Sequence, residues 1–116
     1  MSLHFKNQII KNQSGQIKYK VFHEGGKEHY HIGVWVEGDD NELDSIQRVE
    51  YLLHPTFKRP LRSFESRDNK FSVTFWTWGM FMIRVSIFFK NGIIEKRDYY
   101  LGYELPEDNG SNYSRE

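Results

Sequence analysis

Zero cysteines among 116 residues remove a disulfide framework, a thiolate zinc site and a Cys nucleophile together, so any chemistry rests on histidine, carboxylate, hydroxyl and aromatic side chains. The five histidines stand at positions 4, 23, 29, 31 and 54, and they are scattered. No Ser-His-Asp arrangement, carboxylate pair or Gly-x-Ser-x-Gly elbow can be read around them. His29 and His31 alternate, which on a strand puts both on one face, where Glu28 or Glu50 could join them around a metal ion. Without further ligand spacing the pair reads as solvated histidines, and neither a metal nor a cofactor is expected.

Two aromatic segments carry more. Leu53-His54-Pro55-Thr56-Phe57, followed by Arg59-Pro60, and Trp76-Thr77-Trp78-Gly79-Met80-Phe81 set aromatic rings beside turn residues instead of inside an alternating pattern. A strand that runs into His-Pro loses its next ladder donor, so Thr56 and Phe57 are pushed into a connection, where an exposed Phe is costly. If both loops meet at one end of the fold, their rings can wall a slot, with the Thr56 hydroxyl and the backbone N–H groups around Trp78 and Gly79 as polar anchors. The bland alternative is that Phe57 and Trp78 only cap the end of the core, and that His54 only stabilises a turn.

The elements that must position these loops are strands, because most of the chain alternates with period two. Ile17, Tyr19 and Val21 share one face, and Ile32, Val34 and Val36 share another, the two runs being split by the loop His23-Glu24-Gly25-Gly26-Lys27-Glu28. The acidic stretch Glu37 to Glu42 reads as a solvated turn. Beyond it Val49, Tyr51 and Leu53 alternate, then Phe71, Val73 and Phe75, then Phe81, Ile83, Val85, Ile87 and Phe89. Asn91-Gly92 predicts a type I′ hairpin, with the returning strand running from Ile93 to about Tyr103. No segment reads as helix. Seven or eight short strands joined by turns predict an all-β, immunoglobulin-like antiparallel β-sandwich.

Set on that frame, the motifs resemble the YEATS domain family, and its compact prokaryotic branch in particular. The resemblance rests on Leu53 to Phe57, Arg59-Pro60-Leu61-Arg62, Trp78-Gly79-Met80-Phe81 and Phe89-Lys90, which follow in the family's order at similar spacing over roughly residues 30 to 101. It implies a non-enzymatic reader of acylated lysine, in which a flat acyl amide slides between two aromatic walls, here Phe57 and Trp78. Thr56 would supply a hydroxyl, His54 would orient its loop, and the Trp78-Gly79 backbone would donate to the acyl carbonyl. His29 or Tyr30 would stand in for the aromatic that closes the pocket from the first loop, and Asp98 for a peptide-facing acid. Thr77 occupies a position where the family usually has Gly.

Length and composition bound the rest. At 14.0 kDa the chain is one domain's worth, expected as a sandwich over residues 1–105 with a flexible polar tail over 106–116. Aromatics are 16% of residues, enough to build a core despite a low apolar share. Formal net charge is zero, which disfavours nucleic acid and anionic membrane as partners. No run is apolar enough for a signal peptide or membrane span, so a monomeric cytoplasmic protein is expected, with an acylated-lysine peptide as partner. The rival expectation is a protein-interaction domain that uses a strand edge or the acidic loop from Gly38 to Asp44. Charge is segregated: residues 51–70 hold five basic residues, Lys58, Arg59, Arg62, Arg67 and Lys70, against Glu65 and Asp68, and these read as a solvated rim.

Overall fold

The computed structural model of the chain describes residues 3–22 and 26–116. The loop residues His23, Glu24 and Gly25 lie outside the described residues. Strands follow in the order β1 (His4–Ile9), β2 (Ile17–Val21), β3 (Glu28–Glu37), β4 (Ile46–Leu52), β5 (Leu61–Phe64), β6 (Val73–Thr77), β7 (Phe81–Phe89), β8 (Ile94–Leu101) and β9 (Tyr113–Arg115), with one helix, α1 (Asp40–Asp44), between β3 and β4.

Two sheets face each other as an immunoglobulin-like sandwich. In the first, β3 is the spine. Ile32 of β3 pairs with Ile9 of β1 and with Phe75 of β6, while Tyr30 pairs with Tyr19 of β2 and Thr77 of β6. Strands β1 and β2 therefore lie end to end along one edge of β3 and β6 lies along the other. The second sheet runs β5-β4-β7-β8, all antiparallel.

Period-two alternation decides which side chains go inside. Ile32, Val34 and Val36, Val49, Tyr51 and Leu53, Val73 and Phe75, and Ile83, Val85 and Ile87 are all buried, so the alternating sets read from the sequence are the facing layers of the core. Tyr51 is completely buried and donates its hydroxyl to the Phe71 carbonyl at 2.7 Å. The sandwich is sewn shut along one side, where Asn7 of β1 donates to the Gly102 carbonyl at 3.0 Å and accepts from the Tyr99 hydroxyl of β8. Along the opposite side, among the described residues, no strand pairs with the outer edges of β5 and β6.

Several expectations require correction. The acidic stretch is not wholly a turn, because Asp39 and Glu42 form a capping box, and Leu43 is driven into the core, which together hold one turn of helix. Strands number nine among the described residues, not seven or eight; β5 and β9, of four and three residues, are too short to show alternation, and β1 carries too few apolar residues. At Asn91-Gly92 only Gly92 has a positive φ, 92°. Gly92 N–H donates to Phe89 O and Phe89 N–H to Ile93 O, which makes a three-residue loop closed by a left-handed Gly instead of a type I′ turn. Residues 106–116 are not a frayed tail throughout: β9 pairs with β2, in parallel, and Tyr113 packs edge-on against Tyr19 and Tyr30.

Candidate functional site

Strand β4 stops at Leu52, and Leu53, still buried, donates its N–H to the Pro60 carbonyl at 2.7 Å. Residues 54–59 are thereby pinched into a short loop. Within it Phe57 N–H donates to the His54 carbonyl at 3.0 Å, and the Thr56 N–H donates to His54 Nδ1 at 3.2 Å. The Thr56 hydroxyl lies 2.9 Å from the same nitrogen, and with the ring proton on Nε2 it is the donor of that pair. In that arrangement Thr56 Oγ1 keeps acceptor capacity.

The second loop follows β6. Thr77 is buried, and its Oγ1 donates to the Gly79 carbonyl at 3.0 Å while accepting the Gly79 N–H at 3.3 Å. This hydroxyl holds the turn that a glycine would otherwise make. Neither Thr77 nor Gly79 needs a positive φ, which is how Thr is accommodated there. The turn throws Trp78 outward, 53% exposed, with the Lys27 ammonium 3.5 Å above its ring.

Between these loops lies an open cavity of about 300 Å³, lined by His29, His54, Thr56, Phe57, Thr77, Trp78, Gly79, Met80 and Phe81. Phe57 is anchored by Phe75 and Phe81, both 5.6 Å away between ring centroids. Among the described residues Phe57 and Trp78 make no ring contact with each other, so a gap separates them. No carboxylate among the described residues lines the cavity.

Six of the seven residues read from the sequence, His29, His54, Thr56, Phe57, Trp78 and Gly79, converge here. Tyr30 does not. Its side chain points to the opposite face of β3 from His29, into the core, where the hydroxyl donates to Glu28 at 2.6 Å and the ring packs on Tyr113. Burial, with Glu28 adding to it, holds its phenol well above the ordinary range. Thr77, Met80 and Phe81, read from the sequence as part of the second aromatic segment but given no ligand contact, also line the cavity. His31 stacks flat on Trp76 at 4.6 Å, on the outer face of the first sheet, away from the cavity. Asp98 pairs with Arg84 at 3.5 Å on the outer face of the second.

The profile of the prokaryotic YEATS domain matches residues 30–102. The chain belongs to that family. The Protein AF-9 homolog of Saccharomyces cerevisiae is 36% identical over 72 residues, 60% of this chain and 31% of the relative. The crystal structure of yeast AF-9 homolog protein Yaf9 superposes with a TM-score of 0.57 at 26% identity, covering 66% of this chain and 56% of that one. A structure of the Yaf9 YEATS domain bound to H3K27ac gives a TM-score of 0.60 at 22% identity over 88% of this chain and 70% of that chain. The match therefore takes in about a third of the curated relative's length.

Proposed function

We propose that this domain is a non-enzymatic reader that takes an acylated lysine, or a similar planar amide, into the slot between Phe57 and Trp78. The observation that carries the reading is the cavity itself, lined by two aromatic side chains, Phe57 and Trp78, that make no ring contact with each other, with the Thr56 hydroxyl beside them. An acyl amide has one N–H to donate and one carbonyl to satisfy. Thr56 Oγ1 accepts the N–H. Because Thr77 already engages the Gly79 N–H, the carbonyl falls to the Trp78 N–H. Acylation removes the ammonium whose burial would be prohibitive, and the flat amide stacks on the rings. Membership of the YEATS family, and the Yaf9 domain bound to H3K27ac, support the same class of ligand.

The rival reading, an interaction domain whose aromatic end is filled by its own core, requires a buried Trp78, and Trp78 is half exposed. Titrating acetyl- and crotonyl-lysine peptides against the domain, followed by Trp fluorescence or NMR shifts, tests the proposal. Saturable binding of the acylated peptides with weaker binding of the unmodified one is expected. Equal response to both, or none at millimolar ligand, overturns it.

A further inference from the structure

The segregated charges of the sequence meet in space, but not completely. Arg67 reaches back to α1 and pairs with Asp44 at 2.5 Å and Asp40 at 3.0 Å, and Lys70 pairs with Glu37 at 3.3 Å. The acidic stretch thus neutralises two of the five basic residues in 51–70. The other three, Lys58, Arg59 and Arg62, are left together.

They are left in a cleft. It has a volume of about 590 Å³ and lies along the open side of the sandwich, between the free edges of β5 and β6, where Lys58, Arg59 and Arg62 face Asn69, Ser72 and Thr74. Arg62 spans it, donating Nε to the Arg59 carbonyl at 2.9 Å and Nη1 to the Thr74 carbonyl at 3.4 Å. Its guanidinium is therefore positioned before any ligand arrives. No carboxylate lines the cleft, and among the described residues no acidic partner is found for Lys58, Arg59 or Arg62. Three cations backed by amide and hydroxyl groups form the donor set that holds an oxyanion.

We infer that this cleft is a second binding site, for a peptide segment bearing a phosphoryl group or adjacent carboxylates. Beyond the Thr74 carbonyl that Arg62 engages, no strand among the described residues pairs with the outer edges of β5 and β6, which offer a peptide backbone its partners, and the anion fits the cations. A nucleic acid is disfavoured because the charge is a short island, bounded by the acidic α1, in a chain of zero net charge, and offers no track for a polyanion. Phe57 divides this cleft from the aromatic slot: it lines the slot on one side, while on the other the Arg62 guanidinium sits 5.9 Å from its ring. The two sites are thus separate, and the inference does not depend on acyl-lysine binding.

The test uses the whole chain and a short labelled Gly/Ser peptide in three forms: unmodified, with one phosphoserine, and with two adjacent Glu residues in its place. Fluorescence anisotropy should show binding of the anionic forms only, weakening as salt is raised. The double variant Lys58→Gln with Arg59→Gln, both exposed, should lose about tenfold or more in affinity for them, while Lys96→Gln on β8, at the opposite edge of the sheet that holds β5, changes nothing. An acetyl-lysine peptide, titrated in parallel, should bind the double variant as it binds the parent, which separates failure of this site from failure of the aromatic slot. Equal binding of the unmodified peptide, unaltered affinity in the double variant, or tighter binding of single-stranded DNA through the same residues overturns the assignment.

Discussion

At the scale of single residues, Thr56 and Trp78 separate binding from folding. Thr56→Val keeps the shape and deletes the acceptor, and a hydrogen bond of this kind is worth about 1 kcal/mol or somewhat more when an amide is left unsatisfied. Affinity for an acylated peptide should fall about five- to thirtyfold, with the melting temperature hardly moved. Trp78→Ala should abolish binding, and because half the ring is already in water, calorimetry should find a stability loss well below the range for buried aromatics, about 3–5 kcal/mol. His31 makes a different prediction. Desolvation, then Lys18 and Lys20, push its imidazole below the ordinary range, so the unfolded chain takes up a proton near pH 6.5 and the folded chain only at lower pH. Between those values the unfolded state binds more protons, so His31's contribution is complete above about pH 6.5 and is lost as pH falls toward the folded value. His31→Phe, which keeps a ring against Trp76, should flatten that part of the stability profile in urea titrations.

At the scale of elements, the buried Tyr51 hydroxyl joins β4 to the loop before β6. Lys70 and Phe71 both sit at positive φ, 58° and 55°, a conformation that costs a non-glycine residue about 1 kcal/mol or more. The loop holds it because Val36 N–H donates to the Lys70 carbonyl, Phe71 N–H to the Ser66 carbonyl, and Tyr51 to the Phe71 carbonyl. Tyr51→Phe leaves that last carbonyl buried and unpaired, and should cost about 1–3 kcal/mol by denaturant unfolding. A cost near zero would mean that the loop holds without it.

At the scale of the whole molecule, the last residues belong to the fold. β9 covers the edge of β2, and Tyr113 covers Tyr19 and Tyr30 while donating its hydroxyl to the Pro106 carbonyl at 2.6 Å. Truncation after Tyr103 should lower stability by about 2 kcal/mol through the aromatic area returned to water, and it leaves the aromatic slot, some strands away, intact. A truncated chain that melts with the parent would show that β9 contributes nothing. The molecule thus has one side sewn by β1 and β8, one side open between β5 and β6, and the aromatic slot formed by the loops after β4 and β6.

Alternation at Ile32-Val34-Val36, Val49-Tyr51-Leu53 and Ile83-Val85-Ile87 was enough to give strands and facing core layers, because a side-chain period of two leaves no other way to bury those residues on one face. The loop motifs around Thr56 and Trp78 were equally legible, since proline and turn residues interrupt pairing locally. What pairs with what was not. That Tyr30 turns into the core follows from extending the Ile32-Val34-Val36 alternation back two residues, but that His29 lines the slot depends on which loops meet at that end of the fold. That Tyr113 makes a strand depends on an edge of β2 far away in sequence. The charge cleft exists only because Arg67 and Lys70 happen to reach acids some thirty residues distant, leaving Lys58, Arg59 and Arg62 without them. Local composition carries the preference of each segment, but long-range pairing is set by which edges and charges meet after the sheets pack, and tertiary structure alone decides that.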